Sequence, residues 1–374
     1  MAALYFHIPF CKRVCGYCDF YRTTKLRLID AVVEQMHREL EQEADFLHDR
    51  KVATIYFGGG TPSLLPPAEI ERFIDHVRQL YDVVPDAEIT IEVNPDDITD
   101  EYVAALQKSS VNRISMGVQS LDDDCLRLMG RRHTAEQAIE AVERLKRGGY
   151  HNISLDLIFG IDGFGGDSLQ RSVEGIAALD VAHISAYHLT IEEGSRFGRL
   201  VASGAMKQIA DDRSEEEFLL VHRLLTANGY EHYEVSNYAK PNMRSRHNSS
   251  YWLGIEYLGI GAGAHSYNGD VRRWCEQPIE EYITKITYDI EPQDNTVRLN
   301  ECIMVGLRRA EGISLRDIAH RFGDDAARRI AKLSSSFIEQ GVLVERVSDD
   351  DHRIAIPAEK FLVSDLVIST LFVI

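Results

Sequence analysis

The chain has 374 residues, 44% of them hydrophobic, and a formal charge of −18 at pH 7. That length can bury one large core and a smaller one. So strong an excess of carboxylates repels a phosphate backbone, and no run of Lys and Arg interleaved with aromatics offsets it, so nucleic acid is excluded as an expected partner.

The opening MAALYFHIPF reads as a first strand and not as a signal peptide. From there to about Leu189, β-rich runs alternate with amphipathic stretches. Strands are expected at Leu4–Ile8, Ala53–Phe57, Glu88–Val93, Arg113–Val118, Ile153–Phe159 and His183–Leu189. Helices are expected at Leu26–Phe46, Pro67–Tyr81, Ala135–Arg147 and Ser168–Leu179. Repeated strand–helix units imply a parallel sheet, and six of them an α/β fold built as an incomplete (β/α)6 TIM-like barrel with functional residues at the strand C-terminal ends. A helix over Arg213–Asn228 and a strand over Tyr230–Val235 close this first domain, 1–240. Residues 241–292 read as a loop-rich extension containing RHNSSYW and LGIGAGAHSY. After a polar linker, residues 293–374 read helix, helix, strand, strand (Ile313–Phe322, Asp324–Gln340, Gly341–Arg346, Arg353–Ile356), a small winged-helix-like α+β domain that is not basic enough to imply DNA. The apolar Phe361–Ile374, interrupted by Ser364, Asp365, Ser369 and Thr370, is too short for a membrane span, so a packed C-terminal element and a cytoplasmic protein are expected.

Three of the six cysteines, Cys11, Cys15 and Cys18, follow the first strand in HIPFCKRVCGYCDFY, with C-x3-C-x2-C spacing; Cys125, Cys275 and Cys302 are scattered singles. Thiolates so close together suit an iron–sulfur cluster or zinc, and three ligands leave one iron of a cubane open. The alternative is a Cys3His zinc site completed by His7, whose spacing departs from the usual pairs of ligand pairs. The second strand runs into FGGGTPSLL, where Gly58–Gly60 permit close backbone approach before Thr61 and Pro62 start the next helix. Polar residues then recur at strand ends: Glu92 in TIEVNP, Gln119 in SMGVQS, Arg131 in MGRRHT and Asp156 in ISLDLIFG. Recurrence at strand ends favours ligand contact over capping.

The C-x3-C-x-Y-C motif after a strand resembles the radical S-adenosylmethionine superfamily, and the GGGTP variant narrows the likeness to the oxygen-independent coproporphyrinogen oxidase family. The resemblance implies a [4Fe-4S] cluster on Cys11, Cys15 and Cys18, with S-adenosylmethionine (SAM) chelating the open iron and an electron donor supplying the cluster. It also implies SAM contacts by Tyr5, Tyr17, Gly59, Gly60, Thr61, Glu92, Gln119, Arg131 and Asp156, and contacts of Thr190 and His265 to a second bound SAM nucleotide. One departure is GIDGFGGDS, Gly160 to Ser168, where the family has a Gly-Leu-Pro-Gly-Gln turn.

Coproporphyrinogen dehydrogenases of that family carry another cysteine two residues beyond the third ligand, where this chain has Phe20, and an N-terminal substrate-binding extension that this chain is expected to lack. Both departures resemble the HemW-type heme chaperone subfamily, marked by H-N-x-x-Y-W, here His247, Asn248, Tyr251 and Trp252 around two serines. That resemblance implies heme as cargo and a heme-acceptor protein, such as a respiratory heme protein, as partner, with no residue assigned to catalysis. A histidine can ligate heme iron and nearby aromatic faces can lie along a porphyrin. The alternative function is an anaerobic coproporphyrinogen dehydrogenase; the alternative role of His247 is an ordinary structural histidine beside a Tyr251/Trp252 core anchor.

Overall fold

The computed structural model describes residues 1–348 and 351–373; Ile374 of the expected C-terminal element lies outside them. Six parallel strands pair in chain order: β1 (Ala2–Ile8), β2 (Lys51–Gly59), β3 (Asp82–Val93), β4 (Arg113–Gln119), β5 (Ile153–Phe159) and β6 (His183–His188). Their apolar runs suit a sheet covered on both faces; in ISLDLIF of β5 every residue is buried except Asp156, which faces a cavity. Crossover helices do the covering. The one over Ala135–Arg147 begins at a reciprocal Thr134/Gln137 capping box and buries Ala138, Ala141, Val142 and Leu145, one face at helical spacing.

The sheet does not end at six strands. Antiparallel β7 (Glu231–Glu234) and β8 (Asn237–Ala239) extend it beyond β6, while β9 (Tyr257–Ile260) pairs in parallel with β1. Antiparallel β10 (His265–Tyr267), β11 (Val271–Trp274) and β12 (Asp289–Pro292) continue outward from β9. The segment expected to be loop-rich therefore supplies four strands, and RHNSSYW is a helix, Arg246–Trp252, capped by Ser245. Strands of three or four residues separated by glycine turns carry too little periodicity to be recognised.

Glu39, on the helix Ile29–Gln42, ties this extension to the barrel. Its buried carboxylate accepts from the hydroxyls of Tyr282 at 2.6 Å and Tyr288 at 2.8 Å and from the amide of Gly261 at 2.8 Å. Burial still dominates and pushes its pKa up to about 7.

The C-terminal part has the expected winged-helix-like order: β13 (Ile313–Ser314), helices Leu315–Phe322 and Asp324–Glu339, then β14 (Val344–Val347) and β15 (His352–Ala355). The helix Ser364–Leu371 packs behind it on the helix Asn295–Leu307. This module is sewn to β7: the Val235 amide donates to the Arg308 carbonyl at 2.9 Å and the Ala310 amide to the Tyr233 carbonyl at 3.0 Å. Among the described residues no helix is long and apolar enough to cross a membrane.

Candidate functional site

The loop after β1 is held from both sides. Thr23 receives the Cys11 amide at 2.9 Å and donates its own to Pro9 at 2.7 Å, while Gly16 donates to the Met129 carbonyl at 2.7 Å. Cys11, Cys15 and Cys18 consequently face one cavity of about 480 Å3 at the C-terminal ends of the strands. Among the described residues no three His, Cys, Asp or Glu side chains converge on a single ion position. A cubane asks for a thiolate on each of three irons, sulfurs set around a cube and not around a point. Burial raises the pKa of Cys11 and of Cys18; Thr61, donating to the Cys11 sulfur at 3.6 Å, works the other way.

The glycine triplet has a packing reason. A Cβ on Gly60 would lie 2.7–2.8 Å from the backbone of Ile8, Pro9 and Phe10, and one on Gly59, at φ +104°, would strike the His7 ring. Only glycine lets the end of β2 lie so close to the start of the cysteine loop.

The expected strand-end residues Gly59, Gly60, Thr61, Glu92, Gln119, Arg131 and Asp156 all line this cavity, together with Tyr17 and Thr190. Glu92 accepts from the Tyr56 hydroxyl at 2.8 Å and the Gly59 amide at 3.1 Å. Burial, and then the nearby Glu92 carboxylate, push Asp156 up to about 7, and burial raises Glu92 as well. Arg131 donates to Asn94 Oδ1 and the Gly117 carbonyl, both at 2.6 Å, and to the Cys15 sulfur at 3.5 Å. Gln119 sits at φ +69°, which an L side chain adopts at a cost, with its buried Oε1 lacking a partner among the described residues. Gln119 lines the cavity, and a strained backbone together with an unpartnered buried acceptor marks it as a candidate for ligand contact. Asn94 lies outside the expected set; it clamps Arg131 and donates to Thr61 at 3.2 Å, and its place two residues after Glu92 in the same strand end was the available signal.

Tyr5, expected at SAM, and His265, expected at a second nucleotide, line a second, larger cavity of about 900 Å3 between the β9–β11 edge and the C-terminal module. Tyr5 is turned there by its hydroxyl bond to His7 Nδ1 at 3.1 Å, and His265 by stacking on Trp274. Asp19 and Phe20 line both cavities. Phe20 is 67% exposed.

Tyr251 and Trp252 are in the wall of the larger cavity; His247 and Asn248 are not. His247, expected to offer a nitrogen to iron, is only 1% exposed. Its Nδ1 is 2.8 Å from Thr54 Oγ1 and its Nε2 2.9 Å from the Tyr251 hydroxyl, and burial lowers its pKa to about 3. Helix geometry explains this: with Ser245 as cap and Glu88 accepting the His247 amide at 2.9 Å, the imidazole points into the sheet and props Tyr251 from behind. The His265 ring has no hydrogen-bond partner among the described residues and lies open to the cavity.

Residues 5–176 match the Radical SAM superfamily model and residues 293–356 the HemN C-terminal domain model. The chain is 33% identical to the heme chaperone HemW of Lactococcus lactis, over 97% of each chain. It is 32% identical to HemW of Bacillus subtilis over 92% of this chain and 93% of that one, and 37% identical to HemW of Escherichia coli over 70% and 69%. Among solved structures, coproporphyrinogen III oxidase (HemN) from Escherichia coli superposes with a TM-score of 0.82 at 21% identity, covering 99% of this chain and 90% of that one, a likeness of fold.

Proposed function

Since the chain belongs to the family of the heme chaperone HemW, built on a radical SAM core, we propose that it binds heme and passes it to an acceptor protein. The observation that carries this reading is the larger cavity, walled by Tyr251, Trp252 and Trp274 and adjoining the cysteine-lined one. Its volume falls within the range of small-molecule sites, and its aromatic walls suit a flat apolar macrocycle.

In the smaller cavity the three thiols would hold a [4Fe-4S] cluster, whose reactivity when bound is one-electron reduction of SAM at its sulfonium. Glu92 and Asp156 would receive the hydroxyl or amino groups of SAM and Arg131 its carboxylate. Tyr17 and Thr190 would close the pocket around it. In the larger cavity Tyr251 and Trp252 would cover the heme face. For the iron, His265 is the better ligand on geometry: His247 would first have to surrender its bond to Tyr251, whereas His265 already faces the cavity with both nitrogens free of partners among the described residues.

The test is a hemin titration of anaerobically purified protein, followed by absorption, with iron and sulfide analysed beforehand. Cluster absorption plus a saturable Soret band at one heme per chain is expected, with heme released unchanged to an apo heme protein. Absence of saturable heme binding would overturn the proposal. The same preparation given coproporphyrinogen III should form no protoporphyrinogen; turnover would favour the dehydrogenase, against which the exposed Phe20 in place of a cysteine already weighs.

A further inference from the structure

Five arginines line the larger cavity, Arg272, Arg298, Arg309, Arg321 and Arg353, against four carboxylates, Asp19, Glu276, Glu301 and Asp317. The wall as a whole is close to charge balance, so the pairing of each arginine decides what it offers a ligand. Three of the arginines are neutralised: Arg272 by Glu301 at 2.6 Å, Arg298 by Asp270 at 3.1 Å and Arg353 by Asp351 at 2.9 Å. Arg309 and Arg321 have no carboxylate partner among the described residues. The Arg309 Nε is buried without an acceptor, and Arg321 reaches only the Cys302 sulfur at 3.5 Å and the face of Phe322. Burying the Nε edge of Arg309 without an acceptor is costly, and the planar fork of either arginine is shaped for a carboxylate.

We propose that Arg309 and Arg321 form the anion-binding end of this cavity and hold the carboxylates of the porphyrin that enters it. The inference rests on the heme-binding reading above and deepens it, giving the bound ligand a direction. The apolar ring lies toward Tyr251, Trp252 and Trp274 on the sheet side, and the propionates lie toward the C-terminal module, where β7 meets Arg309. The module is then part of the binding site and not only a cover.

The experiment uses three probes with the full chain: hemin, iron-free protoporphyrin IX and its dimethyl ester, each titrated by fluorescence quenching. Arg309→Gln and Arg321→Gln are each expected to weaken hemin and protoporphyrin IX about tenfold or more, the scale of one charge-assisted hydrogen bond. Affinity for the dimethyl ester, which has no carboxylates, should not change. Arg309→Lys should recover part of the loss. Because Arg321 is exposed at the surface, Arg321→Gln keeps the test valid if Arg309→Gln fails to fold, with cluster absorption as the check. Wild-type affinity for protoporphyrin IX in both glutamine variants would overturn the assignment while leaving heme binding intact. If the wild-type chain bound none of the three probes, the heme-binding reading itself would fail and this inference with it.

Discussion

His247 Nε2 and the Tyr251 hydroxyl lie 2.9 Å apart, one turn from each other on the helix Arg246–Trp252. The bond takes up the nitrogen that would otherwise be offered to iron and fixes the ring that faces the cavity. His247→Gln should therefore keep the Soret position of the heme-loaded protein and lower its unfolding free energy by about 1–3 kcal/mol, the cost of leaving buried groups unsatisfied. His265→Ala should shift the Soret band. Spectra of both variants check this; a shift in His247→Gln with none in His265→Ala would reverse the ligand assignment.

Replacing Cys11, Cys15 or Cys18 by Ala should abolish the cluster, since each would supply one iron with its protein ligand. Ala at Cys125 or Cys275, both buried away from that cavity, or at Cys302 should leave iron and sulfide content unchanged. Full cluster content in Cys15→Ala would remove that cysteine from the ligand set.

Asp156→Ala should weaken SAM about ten- to a hundredfold, the loss of one buried charge-assisted hydrogen bond, without loss of the cluster. Arg131→Ala should do the same and in addition free Asn94 and the Cys15 sulfur, so its cluster should oxidise faster in air. Calorimetric titration with SAM and the decay of cluster absorption report the two effects separately.

Gly60→Ala should cost about 1–3 kcal/mol, the range for overpacking, because the new methyl would meet backbone and not a movable side chain. The strain falls on Ile8–Phe10, next to Cys11, so cluster content should drop along with the melting temperature. Wild-type values of both would show that the β1–β2 ends can separate.

The pKa of Glu39 is raised from 4.5 to about 7, so its protonated form is the one favoured by folding. Its contribution is complete below pH 4.5 and is lost as the pH rises through 7, on the order of 3 kcal/mol over that window. Glu39→Gln should flatten this part of the stability-against-pH curve. Denaturant titrations at pH 5 and pH 8 measure the difference; an unchanged slope in the variant would place the proton elsewhere, with Asp156 and Glu234, also raised to about 7, next in line.

The six parallel strands were legible because each is an apolar run bounded by amphipathic helices. Of the residues expected at strand ends, Glu92 and Gln119 lie there, whereas Asp156 stands in the middle of β5 and Arg131 follows the helix Asp123–Met129; these reach the cavity all the same. Residue type announces chemistry at Cys11, Cys15 and Cys18 but not at His247, whose side-chain direction depends on a Ser245 cap and on Glu88, 159 residues away in sequence. Of the second cavity only isolated wall residues, among them Tyr251, Trp252 and His265, were named from sequence, and not the cavity itself. It is made by β9–β11 and by a module whose first strand begins at Ile313, and its arginines are unremarkable until the fold separates those with partners from those without.

An open twelve-stranded sheet has two rims, and each is protected differently from a neighbouring chain. At one rim the C-terminal module lies over β7 and takes up its backbone groups through Arg308 and Ala310. At the other, β12 is fully exposed, yet it is only four residues long, ends in Pro292 and sets Asp289 and Glu291 on either side of Ile290. Short length, a missing amide and like charges make a poor template for strand addition. Losing the module, or replacing Pro292 and the two acids with β-branched residues, would turn a sheet that ends into one that can propagate, and aggregation rather than unfolding would be the first visible failure.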